Sequence, residues 1–338
     1  MKQKAYRDRS EGSRFSVSLL SKSRGREKNP KCIQRMMCTS SSAPATTKPQ
    51  MDVRDFSTLP FDILMKIAAP FTLPNLQAAS LVCTAWRDAL RPLREAMVLL
   101  MWGKRFKHGR GGVQANLDKA LDSFLKGAKL GSTLAMVDAG LVYWERGNKH
   151  EAIALYEKAA ELGDPTGQCN LGISYLQAQP PNLKLGVKWL YRASLAGHVR
   201  AQYQLGLCFH QGRGADSSMQ QAALWYLKAA EAGYVRAMYN VSLCYSSGEG
   251  FCYNIGLGRK WMKRAADHGH SRAQFHHGLT LFSKGEIANA ALYLELATRA
   301  GETSAAHFKN VLLQQISASS HDHIMRVADN WRAASFSR

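Results

Sequence analysis

Between about residues 93 and 316 the apolar and small residues recur in register with a glycine that closes each helical run. Gly131, Gly163, Gly197, Gly233, Gly269 and Gly301 stand 32, 34, 36, 36 and 32 residues apart. Eight residues before each glycine come Ser123, Leu155, Trp189, Trp225, Trp261 and Tyr293, and seven before come Phe124, Tyr156, Leu190, Tyr226, Met262 and Leu294. Four before are Gly127, Ala159, Ala193, Ala229, Ala265 and Ala297; eleven before are Ala120, Ala152, Gly186, Ala222, Gly258 and Ala290. Offsets of three, four and seven make one stripe of a helix, here helix B, which the glycine ends by taking a positive φ.

A second stripe follows each glycine. Four residues on stand Ala135, Gly167, Ala201, Ala237, Ala273 and Ala305. Nine on stand Gly140, Gly172, Gly206, Ser242, Gly278 and Asn310, and twelve on stand Tyr143, Tyr175, Phe209, Tyr245, Leu281 and Leu313. This is helix A of the next unit. A glycine inside a helix costs about 1 kcal/mol of propensity, so its recurrence predicts close helix approach, with the large side chain of one helix beside the small one of another. A helix pair of this size cannot bury its apolar face alone, whereas stacked pairs can. The pattern therefore predicts an all-α chain whose main body, 93–316, is an α-solenoid of about six units with breaks near 131, 163, 197, 233 and 269, and a capping helix near 303–316. The first unit is degenerate, keeping Gly103 and Phe106, and the second and last have short loops, Arg146 to Lys149 and Lys284 to Glu286.

Residues 55–92 form a separate apolar block. Leu59-Pro60 precedes a helical pattern of Ile63, Leu64 and Ile67, with Thr58 as N-cap and Pro60 in the first turn. Pro70 and Pro74 break the chain, and Leu76, Ala79, Val82, Cys83 and Trp86 then fit one face of a second helix. So small a core calls for a partner surface.

Two of these patterns resemble known families. Leu59-Pro60-x-x-Ile63-Leu64-x-x-Ile67, followed by Leu81-Val82-Cys83-x-x-Trp86-Arg87, resembles an F-box over roughly 40 residues. The two prolines in its middle depart from the pattern. The resemblance implies binding of a Skp-type adaptor, and through it a cullin, in an SCF-type ubiquitin ligase. The implied adaptor contacts are Leu59, Pro60, Ile63, Leu64, Ile67, Leu76, Val82, Cys83 and Trp86. The repeats resemble the Sel-one-like repeat, a relative of the tetratricopeptide repeat; the clearest copy runs from Ala201 to Gly233. Such repeats assemble protein complexes, which the resemblance implies here too.

Charge adds a third segment. The chain has 45 Lys and Arg against 25 Asp and Glu, a formal +20. Residues 1–50 hold 12 basic and 3 acidic residues, or +9, and +11 spreads over the remaining 288. No basic helix or aromatic-interleaved patch concentrates that excess, so neither nucleic acid nor a membrane is the expected partner. The leader, 1–54, is polar, basic and Ser-rich, and it cannot bury enough apolar surface to order itself. It reads as a solvated tail; Lys22, Arg24, Arg26 and Lys28 also suit a nuclear signal, and its Arg/Ser content a transit peptide. No apolar run approaches the roughly 20 residues that span a bilayer. The seven cysteines lack any C-x-x-C pair, so a reducing compartment, cytoplasmic or nuclear, is expected.

Candidate chemistry is sparse. No nucleophile elbow, P-loop, H-E-x-x-H or paired-carboxylate motif occurs, and no cofactor is implied. Cys208 and Cys244 are equivalent in register, yet neither has a partner cysteine in its own unit. His268, His270, His276 and His277 lack a further ligand at metal spacing and read as a surface group. Seven residues past each glycine stand Asp138, Asn170, Gln204, Asn240 and His276, a polar row that suits either target reading or plain solvation. The tail, 317–338, carries Ile324, Met325, Val327, Trp331 and Phe336 and suits a short amphipathic helix or a linear motif. The resulting expectation is a non-catalytic receptor that holds a target protein near a ubiquitin ligase; the alternative is a scaffold that binds the adaptor without leading to degradation.

Overall fold

A computed structural model describes residues 59–68 and 71–334 of the chain. Among them every regular element is a helix. Four helices open the chain: α1 (Phe61–Ala68), α2 (Leu73–Ala79), α3 (Thr84–Ala89) and α4 (Arg91–His108). Helix α4 is also helix A of the first repeat, and α5 (Leu117–Lys129) is its helix B. The next pairs are α6 (Thr133–Glu145) with α7 (Lys149–Glu161), α8 (Pro165–Gln177) with α9 (Leu183–Leu195), and α10 (Val199–Gln211) with α11 (Met219–Glu231). Then come α12 (Val235–Ser247) with α13 (Ile255–Asp267), and α14 (Ser271–Phe282) with α15 (Ile287–Arg299). Helices α16 (Thr303–Leu313) and α17 (Ala318–Asn330) close the array.

From α4 to α16 each helix packs on its sequence neighbour, as a solenoid requires, and the A helices α4, α6, α8 and α10 also touch in succession. The predicted stripes supply the packing. Nine past the glycine meets seven before the next one: an added Cβ on Gly140 would stand 2.5 Å from the Tyr156 ring, and one on Gly172 2.8 Å from Leu190. Gly103 meets Phe124 in the same way, which places the degenerate first copy in register. Four past meets four before: an added Cβ on Gly167 would lie 2.7 Å from Ala159 Cβ. Any larger residue at these positions would push two helices apart.

The turn between repeats reuses each residue twice. Gly233 has φ 95°, its N–H donates to Ala230 O at 3.0 Å, and the Tyr234 N–H donates to Ala229 O at 2.8 Å. That is a Schellman closure of α11, and Tyr234 is at once the N-cap residue of α12. The equivalent residues Ser132, Asp164, His198 and His270 cap their A helices with side-chain acceptors. Capping signals for the helix starts were thus present one residue past four of the six glycines.

The opening block differs from expectation in two ways. Its second helix is broken. Ser80 Oγ donates to Leu76 O at 2.6 Å, α2 stops at Ala79, and α3 starts anew at Thr84. Cys83 is the N-cap of α3, its Sγ accepting the Trp86 N–H at 3.4 Å. Leu76 and Val82 therefore do not share a face: one is 1% exposed and the other 58%. Helix α1 begins at Phe61, with the Pro60 carbonyl accepting the Leu64 N–H at 3.0 Å; Thr58 lies outside the described residues. The second difference is continuity. The boundary expected at 92/93 falls inside α4, and Leu64, Leu76, Leu90, Leu93, Leu100 and Phe124 belong to one core.

Candidate functional site

The opening block sorts its apolar residues into two sets. Leu64 and Leu76 are 3% and 1% exposed and Trp86 packs against the same core, so these hold the block together. Leu64 and Leu76 are thereby corrected from contact residues to internal supports: they face α4 and the first repeat rather than a partner. Leu59 and Cys83 are half-buried and Pro60 is exposed. Ile63 and Ile67, four apart on α1, point outward with Phe61. Leu81 and Val82 sit in the turn between α2 and α3 and are 86% and 58% exposed. Isolated exposed apolar side chains are ordinary; this block exposes five of them within 22 residues. Phe61 and Leu81, outside the expected contact set, are exposed beside it, and Leu81 comes just ahead of the Cys83 cap.

The polar row of the A helices is less uniform than its register suggested. Asp138 Oδ2 lies 3.5 Å from Lys104 Nζ of the preceding A helix. Burial pushes its carboxyl above the usual range, against the pull of Lys104. Asn170 is only 7% exposed, so it is packed within α8's surroundings and is not a reading residue. Gln204 and Asn240 are half-buried, and Asn240 shares a hydrogen bond with the Tyr226 hydroxyl. His276 is exposed and stacks on Tyr239 with ring centroids 6.1 Å apart. The row thus offers Gln204 and His276 outward, and turns Asn170 inward.

The histidine group is also corrected. Rather than a solvated cluster, it does structural duty. His270 Nδ1 accepts the Ala273 N–H at 3.2 Å, capping α14, and its ring stacks on Tyr239 at 4.6 Å. Burial, then Arg236 and Arg272, hold its pKa down at about 4, so the ring is neutral and able to accept. His277 meets Tyr293 edge-on at 4.7 Å, and His268 is bonded to the Ala334 carbonyl. Among the described residues no three His, Cys, Asp or Glu side chains gather as a metal site. Burial pushes the Cys169 thiol up to about 12, and those of Cys208 and Cys244 to about 11, which leaves them unreactive at neutral pH. No described helix is long and apolar enough to cross a membrane.

Comparison with known proteins fits this geometry. The Sel1 repeat model matches residues 96–132, 135–164, 165–198, 199–234 and 235–270, just over half the chain; α14 and α15 add a sixth pair of the same build. An F-box protein of Arabidopsis thaliana is 61% identical over 345 residues, covering 98% of each chain. A component of an ERAD-associated E3 ubiquitin-protein ligase of Candida glabrata is 33% identical over 105 residues, or 28% of this chain and 13% of that one. Among solved structures, a protective antigen of uropathogenic Escherichia coli with an SLR fold superimposes with a TM-score of 0.60 at 21% identity, over 75% of this chain and 56% of its own. With an F-box-type helical block fused to Sel1 pairs, and near full-length identity to a protein of that kind, this chain belongs to the F-box proteins that carry Sel1 repeats.

Proposed function

We propose that the chain is the substrate-recognition subunit of an SCF-type cullin-RING ubiquitin ligase. The observation that carries this reading is the outward apolar set Phe61, Ile63, Ile67, Leu81 and Val82 on a block that belongs to the F-box class. Exposed apolar side chains of this kind suit the apolar centre of a partner interface. It takes a Skp-type adaptor, with Leu59, Pro60 and Cys83 at its edges. The Sel1 pairs hold a target protein, and transfer follows from proximity, the chemistry belonging to the partner enzymes. The likeness of 28% of this chain to a component of a ubiquitin-protein ligase in another organism supports a role in ubiquitin ligation.

The test is a pull-down with purified Skp-type adaptor, comparing the intact chain with Leu81→Asp/Val82→Asp. Deleting residues 55–92 is a poor test, because Leu93, Met97 and Leu100 would lose their cover. Capture by the intact chain, lost in the double variant with an unchanged melting curve, supports the reading. Equal capture by both would remove this face from adaptor binding. An increase of co-purifying proteins on proteasome inhibition separates the degradative receptor from a scaffold.

A further inference from the structure

The position three past each repeat glycine reads Leu134, Thr166, Arg200, Arg236, Arg272 and Ser304. Three consecutive repeats therefore place an arginine at the second residue of helix A, in α10, α12 and α14. All three are exposed. Among the described residues none of them makes an ion pair or a hydrogen bond.

Helix stability does not account for this row. A cation in the first turn is disfavoured by the helix macrodipole, and none of the three helices carries an acidic residue in its first turn to offset it. The carboxylates that act on the neighbouring histidine rings stand at the two ends of the row, Asp164 and Glu302. Asp164, on the Arg200 side, already accepts from Thr133 Oγ1 at 3.1 Å and the Gly167 N–H at 2.7 Å. Glu302 acts on His270 and His276 from beyond Arg272. Burial and the arginines keep His198 and His270 below their ordinary pKa, so these rings add no charge at neutral pH. The uncompensated charge is thus that of the guanidinium row.

We infer that Arg200, Arg236 and Arg272 form a docking track for an extended acidic segment of the recruited protein, a deepening that rests on the repeats being the target-binding part. One guanidinium per repeat suits a chain laid across the repeats, with carboxylates meeting successive arginines. Four residues along the same helices, Gln204 and His276 offer polar groups to its backbone. Charge excludes two other occupants. The chain's own leader carries 12 basic against 3 acidic residues over 1–50, and a second copy carries the same formal +20. A nucleic acid would call for free aromatic platforms, whereas Tyr203 beside the row packs at a tilt on Tyr234 at 4.9 Å and Tyr239 stacks on His270 at 4.6 Å.

The test uses the full chain and fluorescence anisotropy with a labelled peptide alternating Glu and Gly, its Gln-for-Glu counterpart, and poly(U). The Glu peptide is expected to bind and to weaken as salt rises, with the Gln peptide weaker by at least about tenfold. R200Q/R236Q/R272Q is expected to lower affinity for the Glu peptide by at least about tenfold, against less than about twofold for R192Q/K228Q/R264Q on the B helices. Equal loss in both triple variants, no preference for the Glu peptide, or tighter poly(U) binding lost with the same three arginines would overturn the inference. Adaptor pull-down is run on the same preparations: capture that persists while the Glu peptide fails overturns the acidic track alone and leaves the receptor reading standing.

Discussion

Gly206 of α10 faces the ring of Tyr226 on α11 so closely that an added Cβ would stand 2.7 Å from two ring carbons. Tyr226 is almost fully buried, so its ring has no room to retreat. Ala is favoured over Gly by about 1 kcal/mol in a helix, yet Gly206→Ala is expected to destabilise the array by about 1–3 kcal/mol, because overpacking outweighs propensity. Gly256→Ala is the contrast: its added Cβ meets only Asn254 Oδ1 at 3.3 Å, and the melting temperature is expected to hold or rise. Thermal unfolding of both variants checks the pair.

That relationship was legible before any coordinates because it recurs: a small residue nine past the glycine and a large one seven before the next survive the loop-length variation between them. Features that occur once were less legible. The spacing of Leu76, Val82, Cys83 and Trp86 fits one helix perfectly well, and what ends it is local: the Leu81 and Val82 N–H groups turn to Ala78 O and Ala79 O, and Cys83 Sγ then caps a new helix at the Trp86 N–H. Register also sets direction but not depth. Asn170 occupies the same position as exposed His276 and is nonetheless covered. The histidines misread as a surface group because a cap and a solvated ring look alike in sequence; only the neighbouring Tyr239 and the Ala273 N–H tell them apart.

The opening block separates binding from stability. Leu64→Ala and Leu76→Ala remove side chains 3% and 1% exposed and are expected to cost about 2–5 kcal/mol each. Because their core is shared with Leu93 and Phe124, the loss is expected to appear in unfolding of the first repeat as well. Ile63→Asp/Ile67→Asp, on the outward stripe, is expected to leave unfolding within about 0.5 kcal/mol of the parent while abolishing adaptor capture. Denaturant titration and the pull-down, run on the same three variants, read the two effects apart.

Acid should loosen the α12–α14 region through His270. Its folded pKa of about 4 lies below the roughly 6.5 of an unfolded histidine. The unfolded state therefore binds more protons between those values. The contribution is complete above about pH 6.5 and is lost as pH falls towards 4. Arg236, Arg272, His276 and Glu302 all act on the ring, and only Glu302 opposes the shift. His270→Asn keeps a side-chain acceptor for the Ala273 N–H without a titrating group, so its melting temperature is expected to fall less than the parent's between pH 7 and pH 5. Parallel slopes would remove His270 from the acid response.

The end of the solenoid is held by an ion network around the buried Glu295 that is expected to be more sensitive than the surface pairs. Glu295 on α15 is 6% exposed. It accepts from Arg299 Nε at 2.6 Å one turn along its own helix and pairs with Lys309 Nζ of α16 at 3.1 Å. The hydrogen bonds from Arg299 and Lys309 outweigh burial and hold its carboxyl below the usual range. Arg299 then reaches Asp329 of α17 at 2.8 Å, a pair largely open to solvent. Removing the buried Glu295 takes away the carboxylate that Arg299 and Lys309 share, whereas an exposed pair is worth about 1 kcal/mol or less. Glu295→Ala is therefore expected to accelerate amide hydrogen exchange across α15 and α16, while Asp329→Ala leaves that exchange nearly unchanged. Since a repeat array opens from its ends, the faster exchange in Glu295→Ala is expected to stop short of the α10–α11 pair; a uniform increase along the whole array would show instead that the repeats unfold as one unit.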